Sequence, residues 1–201
     1  MSEIKQTRTP LALMAERVPS RVKMDALLEM PGAREYVQEI DAYALHGLLM
    51  EVGLSDAVDL ALLASQDQVQ RFIDFDAWRK DAFDPGAFGV WLEIYMEGLE
   101  IEDFGRLLES LDTEILPLFL KAHIKVFMAE DGLPPDDAPE NVESSPDYKY
   151  FIQYPEDEDA GRLCRRLIRK VYDSLGVMIG WRTLESVRWE LQTEMEILAY
   201  Q

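Results

Sequence analysis

Paired cysteines, glycine-rich phosphate loops, basic residues in quantity and long uncharged apolar runs are all missing from this 201-residue sequence. Cys164 is its only cysteine, so no intrachain disulfide can form and no zinc site can rest on paired thiolates. The most apolar stretch, 115–128, is broken by Lys121, His123 and Lys125, well short of the roughly 18 uncharged apolar residues that span a bilayer. The apolar run after Pro10 meets Glu16 before it reaches the length of a secretion signal. Lys and Arg number 20 against 39 Asp and Glu, a formal charge of −19 that repels nucleic-acid phosphates and anionic lipid. No nucleophile-elbow serine, helical metalloprotease motif or calcium-loop spacing of acids occurs. The expectation is a cytoplasmic chain that neither enters a membrane nor binds nucleic acid.

What is abundant is apolar mass, 48% of residues, enough for a substantial core. Much of it falls in triplets spaced i, i+3, i+4, the mark of one helical face. They are Met24, Leu27, Leu28; Leu45, Leu48, Leu49; Val58, Ala61, Leu62; Val69, Phe72, Ile73; Phe88, Trp91, Leu92; Phe104, Leu107, Leu108; and Ile115, Leu118, Phe119. Two adjacent pairs are offset by 11 residues, which leaves room for a short helix and a tight corner, with Ser55, Ser65 or Asp112 as an N-cap. Helices this short are marginal alone and must pack on one another. The fold class read from this pattern is mainly all-α, a superhelical, α-solenoid-like stack of short helices over 1–128, with an irregular helical bundle as the alternative.

The pattern stops at 129–147, where Gly132, Pro134, Pro135, Pro139 and Pro146 accompany seven acids and no base, the composition of an exposed linker. Over 129–160 there are eleven acids against Lys149 alone, a local balance of −10. Alternating aromatics at 148–154 predict the one short strand. Residues 148–201 otherwise read as helical and as packed on the same domain. Leu163, Cys164, Leu167, Ile168, Val171 and Tyr172 mark a core face, Gly176 and Gly180 break the run, and helices at 183–189 and 193–200 follow, capped by Thr183 and Thr193.

Two segments are candidate sites. Asp74, Asp76, Asp81 and Asp84 surround Trp78, Arg79 and Lys80, and four carboxylates close together suit a hard cation such as Mg²⁺. The structural alternative makes these acids turn and cap residues. The second candidate is Arg162, Arg165, Arg166, Arg169 and Lys170, which fall on one helix face opposite the apolar one. Such a stripe can receive an acidic protein segment or a phosphate, or can grip the chain's own acids. His46 and His123 sit beside apolar positions and read as packed rather than catalytic, and Cys164 reads as buried and inert.

The stretches "ALHGLLMEVGLSDAVDLALLASQDQVQRFIDF" and "IEDFGRLLESLDTEILPLFLKAHI" resemble the N-terminal helical domain of MgtE-type magnesium transporters and the helical modules of flagellar motor-switch proteins. "GLSDAVDLALLASQDQVQRFIDFDAWRKDAFDP" with "RWELQTEMEILAY" is similar to an uncharacterised bacterial family known only as a domain of unknown function. That likeness implies that the segment holding Trp78, Arg79, Lys80, Asp81 and Asp84 is a family hallmark. Three functions stand as expectations. The first is a non-enzymatic helical-repeat adaptor that binds a protein partner through Trp78, Arg79 and Lys80 or through the stripe. The others are a Mg²⁺-responsive regulator built on the Asp cluster, and an enzyme using carboxylate acid and base groups.

Overall fold

In the computed structural model, which describes residues 10–15, 17–80 and 82–189, most of the apolar triplets become the inner faces of short helices. The chain folds as two compact units, Met1–Phe75 and Asp76–Gln201. The strand that ends at Met128 pairs with a strand beyond the acidic segment, so the chain is continuous across 129–147 within the second unit.

The first unit holds α1 (Pro10–Ala15), α2 (Ser20–Leu28), α3 (Ala33–Gln38), α4 (Ala42–Val52), α5 (Val58–Ala61) and the greater part of α6 (Gln66–Ala77), in which the unit boundary falls. Each side chain such as Leu27, Leu45 or Leu49, fully buried here, contributes roughly 1.5–3 kcal/mol, which stabilises helices too short to persist alone. Helix α2 packs against α1, α3, α4 and α5. Asp41 caps α4 by accepting a hydrogen bond from the Ala44 amide. Ser65 begins α6 with a reciprocal box: the Gln68 amide donates to Ser65 Oγ and the Ser65 amide to Gln68 Oε1. The buried Gln68 amide group then donates to the carbonyls of Val37 and Ile40, at 2.9 and 2.7 Å, and so ties the end of α3 to the start of α6.

The second unit opens with a two-stranded hairpin, β1 (Trp78–Arg79) and β2 (Ala82–Phe83), followed by α7 (Pro85–Gly98), α8 (Ile101–Ser110) and α9 (Ile115–His123). Then come β3 (Lys125–Met128), β4 (Val142–Ser144), β5 (Tyr150–Gln153), α10 (Glu158–Leu175) and α11 (Val177–Trp189). The three later strands form an antiparallel sheet in the order β3-β5-β4, with Val126 opposite Ile152 and Glu143 also opposite Ile152 from the other side. Strand content thus exceeds the single segment expected. The alternation at 148–154 is real within β5, where Tyr150 and Ile152 are buried, but Tyr148 lies outside the strand, 72% exposed and at φ +60°. Strand β4 lies inside the segment expected to be a linker.

Helix α10 is the hub of this unit and packs against α7, α8, α9 and α11. Gly176 ends it, as expected of a break in the run, at φ +83° and ψ 170°, a conformation open to glycine and strained for other residues. Gly180 does not break the chain. It is buried within α11, where a Cβ would stand 2.5–2.7 Å from three ring atoms of Tyr172, so its missing side chain permits two helices to meet. Thr183 is accordingly mid-helix, with its hydroxyl donating to the Ile179 carbonyl, and not a cap. The expected helix at 193–200 lies outside the described residues. Among the described residues no helix is long and apolar enough to cross a membrane.

Candidate functional site

Helix α10 owes its length to its ends. Asp157 caps it by accepting from the Ala160 amide at 2.8 Å, and Glu158 and Asp159 face the positive end of the helix dipole. One face buries Cys164, Leu167, Ile168, Val171 and Tyr172. Burial pushes the Cys164 thiol up to about 12, despite the nearby Arg165 charge, so it is an inert thiol at neutral pH.

The other face gathers all five bases of the stripe along one groove of about 750 Å³. Its far wall is the junction of α7 and α8, where Leu99 and Ile101 supply apolar surface. Glu100, Glu158 and Asp173 also line it. Four of the five bases have internal partners. Arg162 pairs with Asp159 one turn back. Arg165 donates from Nε and Nη2, at 2.8 and 2.6 Å, to a single oxygen of Glu143, and its guanidinium lies 4.3 Å over the Tyr154 ring. The bonds to Glu143 raise the Arg165 pKa further above an already high value. Arg166 donates to Glu97 at 3.0 Å, and Lys170 donates to the Met96 carbonyl at 2.7 Å. Arg169 is exposed and has no hydrogen-bond or ion-pair partner among the described residues. Three guanidinium groups of the row are therefore each held by a single acid, from α10 itself, β4 and α7.

The aspartate segment is arranged differently. Asp74 and Asp76 sit two residues apart on α6, which turns them to different sides of the helix. Asp74 accepts from Gln70 at 2.9 Å, while Asp76 accepts from the Trp91 indole at 2.9 Å. Asp84 caps α7 through the Ala87 amide and pairs with Arg79 at 3.1 Å. Trp78 packs on Phe83 across the hairpin, and Lys80 turns it at φ +64°. Asp81 lies outside the described residues. Among the described residues no group of three or more His, Cys, Asp or Glu side chains is placed to hold a metal ion. His46 lies against Phe72 and Phe75, and His123 against Phe119 with Nδ1 2.9 Å from that residue's carbonyl.

One cluster had no warning in the sequence. Asp147, which reads as one more loop acid, accepts hydrogen bonds from Ser145 Oγ at 2.7 Å, Tyr172 Oη at 3.1 Å and the Trp181 indole. Burial opposes its charge, but these bonds and one from the Lys149 backbone outweigh it and hold the carboxyl below its ordinary value. Lys149 covers the Trp181 ring at 3.5 Å, and Tyr150 donates to Glu185 at 2.6 Å. The Ser-Pro-Asp sequence at 145–147 signals a turn, yet its partners on α10 and α11 are 25 and 34 residues away.

Fold and surface together define a mainly helical protein with two small antiparallel sheets. Residues 5–201 match DUF6178, a family of unknown function, and the chain belongs to that family. No curated protein and no solved structure matches it. The family match supports the uncharacterised-family resemblance and lends nothing to the magnesium-transporter or motor-switch likeness.

Proposed function

We propose that the protein is a non-enzymatic, cytoplasmic interaction module whose α10 groove receives an acidic segment of a partner protein. The observation that carries this reading is the convergence of Arg162, Arg165, Arg166, Arg169 and Lys170 on one groove, with Arg169 unpaired among the described residues. Arginine is suited to the role because its planar fork matches a carboxylate, and Leu99 and Ile101 add a strip for an apolar neighbour of those acids. The overall charge of −19 favours a protein ligand over a nucleic acid, whose continuous phosphates the rest of the chain repels. The packing of α2 on α4 and α5 as well as on its neighbours α1 and α3 favours the irregular helical bundle over a solenoid-like stack of the helices in 1–128.

The test is fluorescence anisotropy with a labelled peptide of alternating glutamate and leucine. Binding is expected to saturate, to weaken with added salt, and to fall about tenfold for each of Arg166→Glu and Arg169→Glu, the loss of one charge-assisted hydrogen bond. Equal binding by the wild type and both variants would show that the groove is not the binding surface.

A further inference from the structure

The acids that reach the groove indicate which anion it suits best, and this step rests on the reading just given. Each of Asp159, Glu143 and Glu97 comes from a different place in the chain, and each engages a single guanidinium. A guanidinium has five N–H donors. Arg165 uses two of them on one oxygen of Glu143, Arg166 shows one bond to Glu97, and Arg169 shows none. On a helix, Arg169 stands one turn beyond both Arg165 and Arg166, and all three line the same groove. A carboxylate has two oxygens and one charge. A phosphate monoester has three terminal oxygens and a charge of about −1.5 to −2 at neutral pH, which lets it bridge several guanidinium groups at once.

We infer that Arg165, Arg166 and Arg169 form a seat for a phosphorylated side chain on the partner segment, with Glu143 as a built-in competitor on Arg165. The Tyr154 ring, 4.3 Å from the Arg165 guanidinium carbon, attracts that cation and steadies it. The ligand is a peptide and not an anionic membrane, because Glu100, Glu158 and Asp173 lie in the groove and would be pressed against a continuous negative surface. A single phosphate on a flexible segment instead concentrates its charge at one point of the groove that the three arginines line. Strand β4 carries Glu143 within the acidic segment, so the chain's own acid sets a threshold that a dianion crosses more readily than a monoanion.

Anisotropy with the whole chain tests this, using three labelled peptides of alternating glutamate and leucine that differ only in a central phosphoserine, glutamate or serine. The phosphoserine peptide is expected to bind about tenfold more tightly than the glutamate one. Arg169→Lys, which keeps the charge and loses the fork, removes most of that preference. Glu143→Gln tightens phosphopeptide binding, and Arg106→Lys on α8, outside the groove, changes nothing. Equal affinity for the phosphoserine and glutamate peptides overturns the phosphate seat and leaves the acidic-segment reading standing. Failure of all three peptides to bind overturns both. Preference for vesicles of phosphatidylcholine with phosphatidylinositol phosphate over the phosphopeptide overturns the assignment to a peptide.

Discussion

Replacing Gly180 with alanine tests the packing on which α10 depends. An added Cβ would lie 2.5, 2.6 and 2.7 Å from Cε2, Cζ and Cδ2 of Tyr172, where carbon atoms normally rest about 3.5–4.0 Å apart. The ring must retreat by about an ångström. It cannot do so cheaply, since it is buried on the core face of α10 and its hydroxyl is committed to Asp147 at 3.1 Å. Overpacking of this kind costs about 1–3 kcal/mol, and weakening a hydrogen bond to a charged acceptor adds about 1 kcal/mol. Alanine's better helix propensity returns about 1 kcal/mol. The balance is a loss of roughly 2 kcal/mol, or about 4–8 °C in melting temperature. Urea titration followed by tryptophan fluorescence reads it, with Gly47→Ala as a control. Gly47 lies inside α4, and its added Cβ would meet nothing within 4 Å. That control should gain about 0.5–1 kcal/mol from propensity alone. If Gly180→Ala were as stabilising as Gly47→Ala, the close approach of α10 and α11 would be wrong.

Gln68→Ala strips hydrogen bonds from the Val37 and Ile40 carbonyls and from the α6 box, and is expected to destabilise the first unit by about 2–4 kcal/mol in urea titration; a loss below about 0.5 kcal/mol contradicts the tie between α3 and α6. Asp147 has a folded pKa below its unfolded value of about 3.9, so its contribution is fully present above that pH and lost as pH falls through the folded value. Asp147→Asn should therefore lower stability at pH 7 and approach the wild type in strong acid, and a gap that did not change with pH would refute the role of its charge. Cys164, buried with its thiol pushed up to about 12, should react with a thiol reagent at pH 8 only after unfolding; rapid labelling of the folded chain would contradict its burial.

Some of this architecture is legible in the residue order and some is not, for identifiable reasons. The core face of α10 is legible because Cys164, Leu167, Ile168, Val171 and Tyr172 follow the helical period, and its end is legible because Gly176 takes a positive φ that other residues resist. Gly180 misleads, since the local rule treats glycine as a breaker while the structure uses its missing side chain for a long-range contact. Strand β5 shows itself by alternation. Strand β3 does not, because four residues after an apolar helix carry no period of their own, and β4 offers only Val142 as an apolar residue in a run of acids and prolines. The basic stripe is readable from i, i+3, i+4 spacing. What holds it in place is not, because Glu143 and Glu97 lie 22 and 69 residues from their arginines and no local signal joins them.

If the guanidinium groups of α10 form a receiving surface for anions, their own protons should report it. Nuclear magnetic resonance of the arginine Nε–H groups during titration with the phosphoserine peptide reads this without an intermediary. Arg165, Arg166 and Arg169 are expected to shift progressively and saturably, while Arg21 and Arg106, which pair with Asp56 and Asp103 elsewhere on the chain, stay unmoved. Unchanged resonances on α10 at saturating peptide, or equal shifts at every arginine, would contradict the assignment of this helix as the receiving surface.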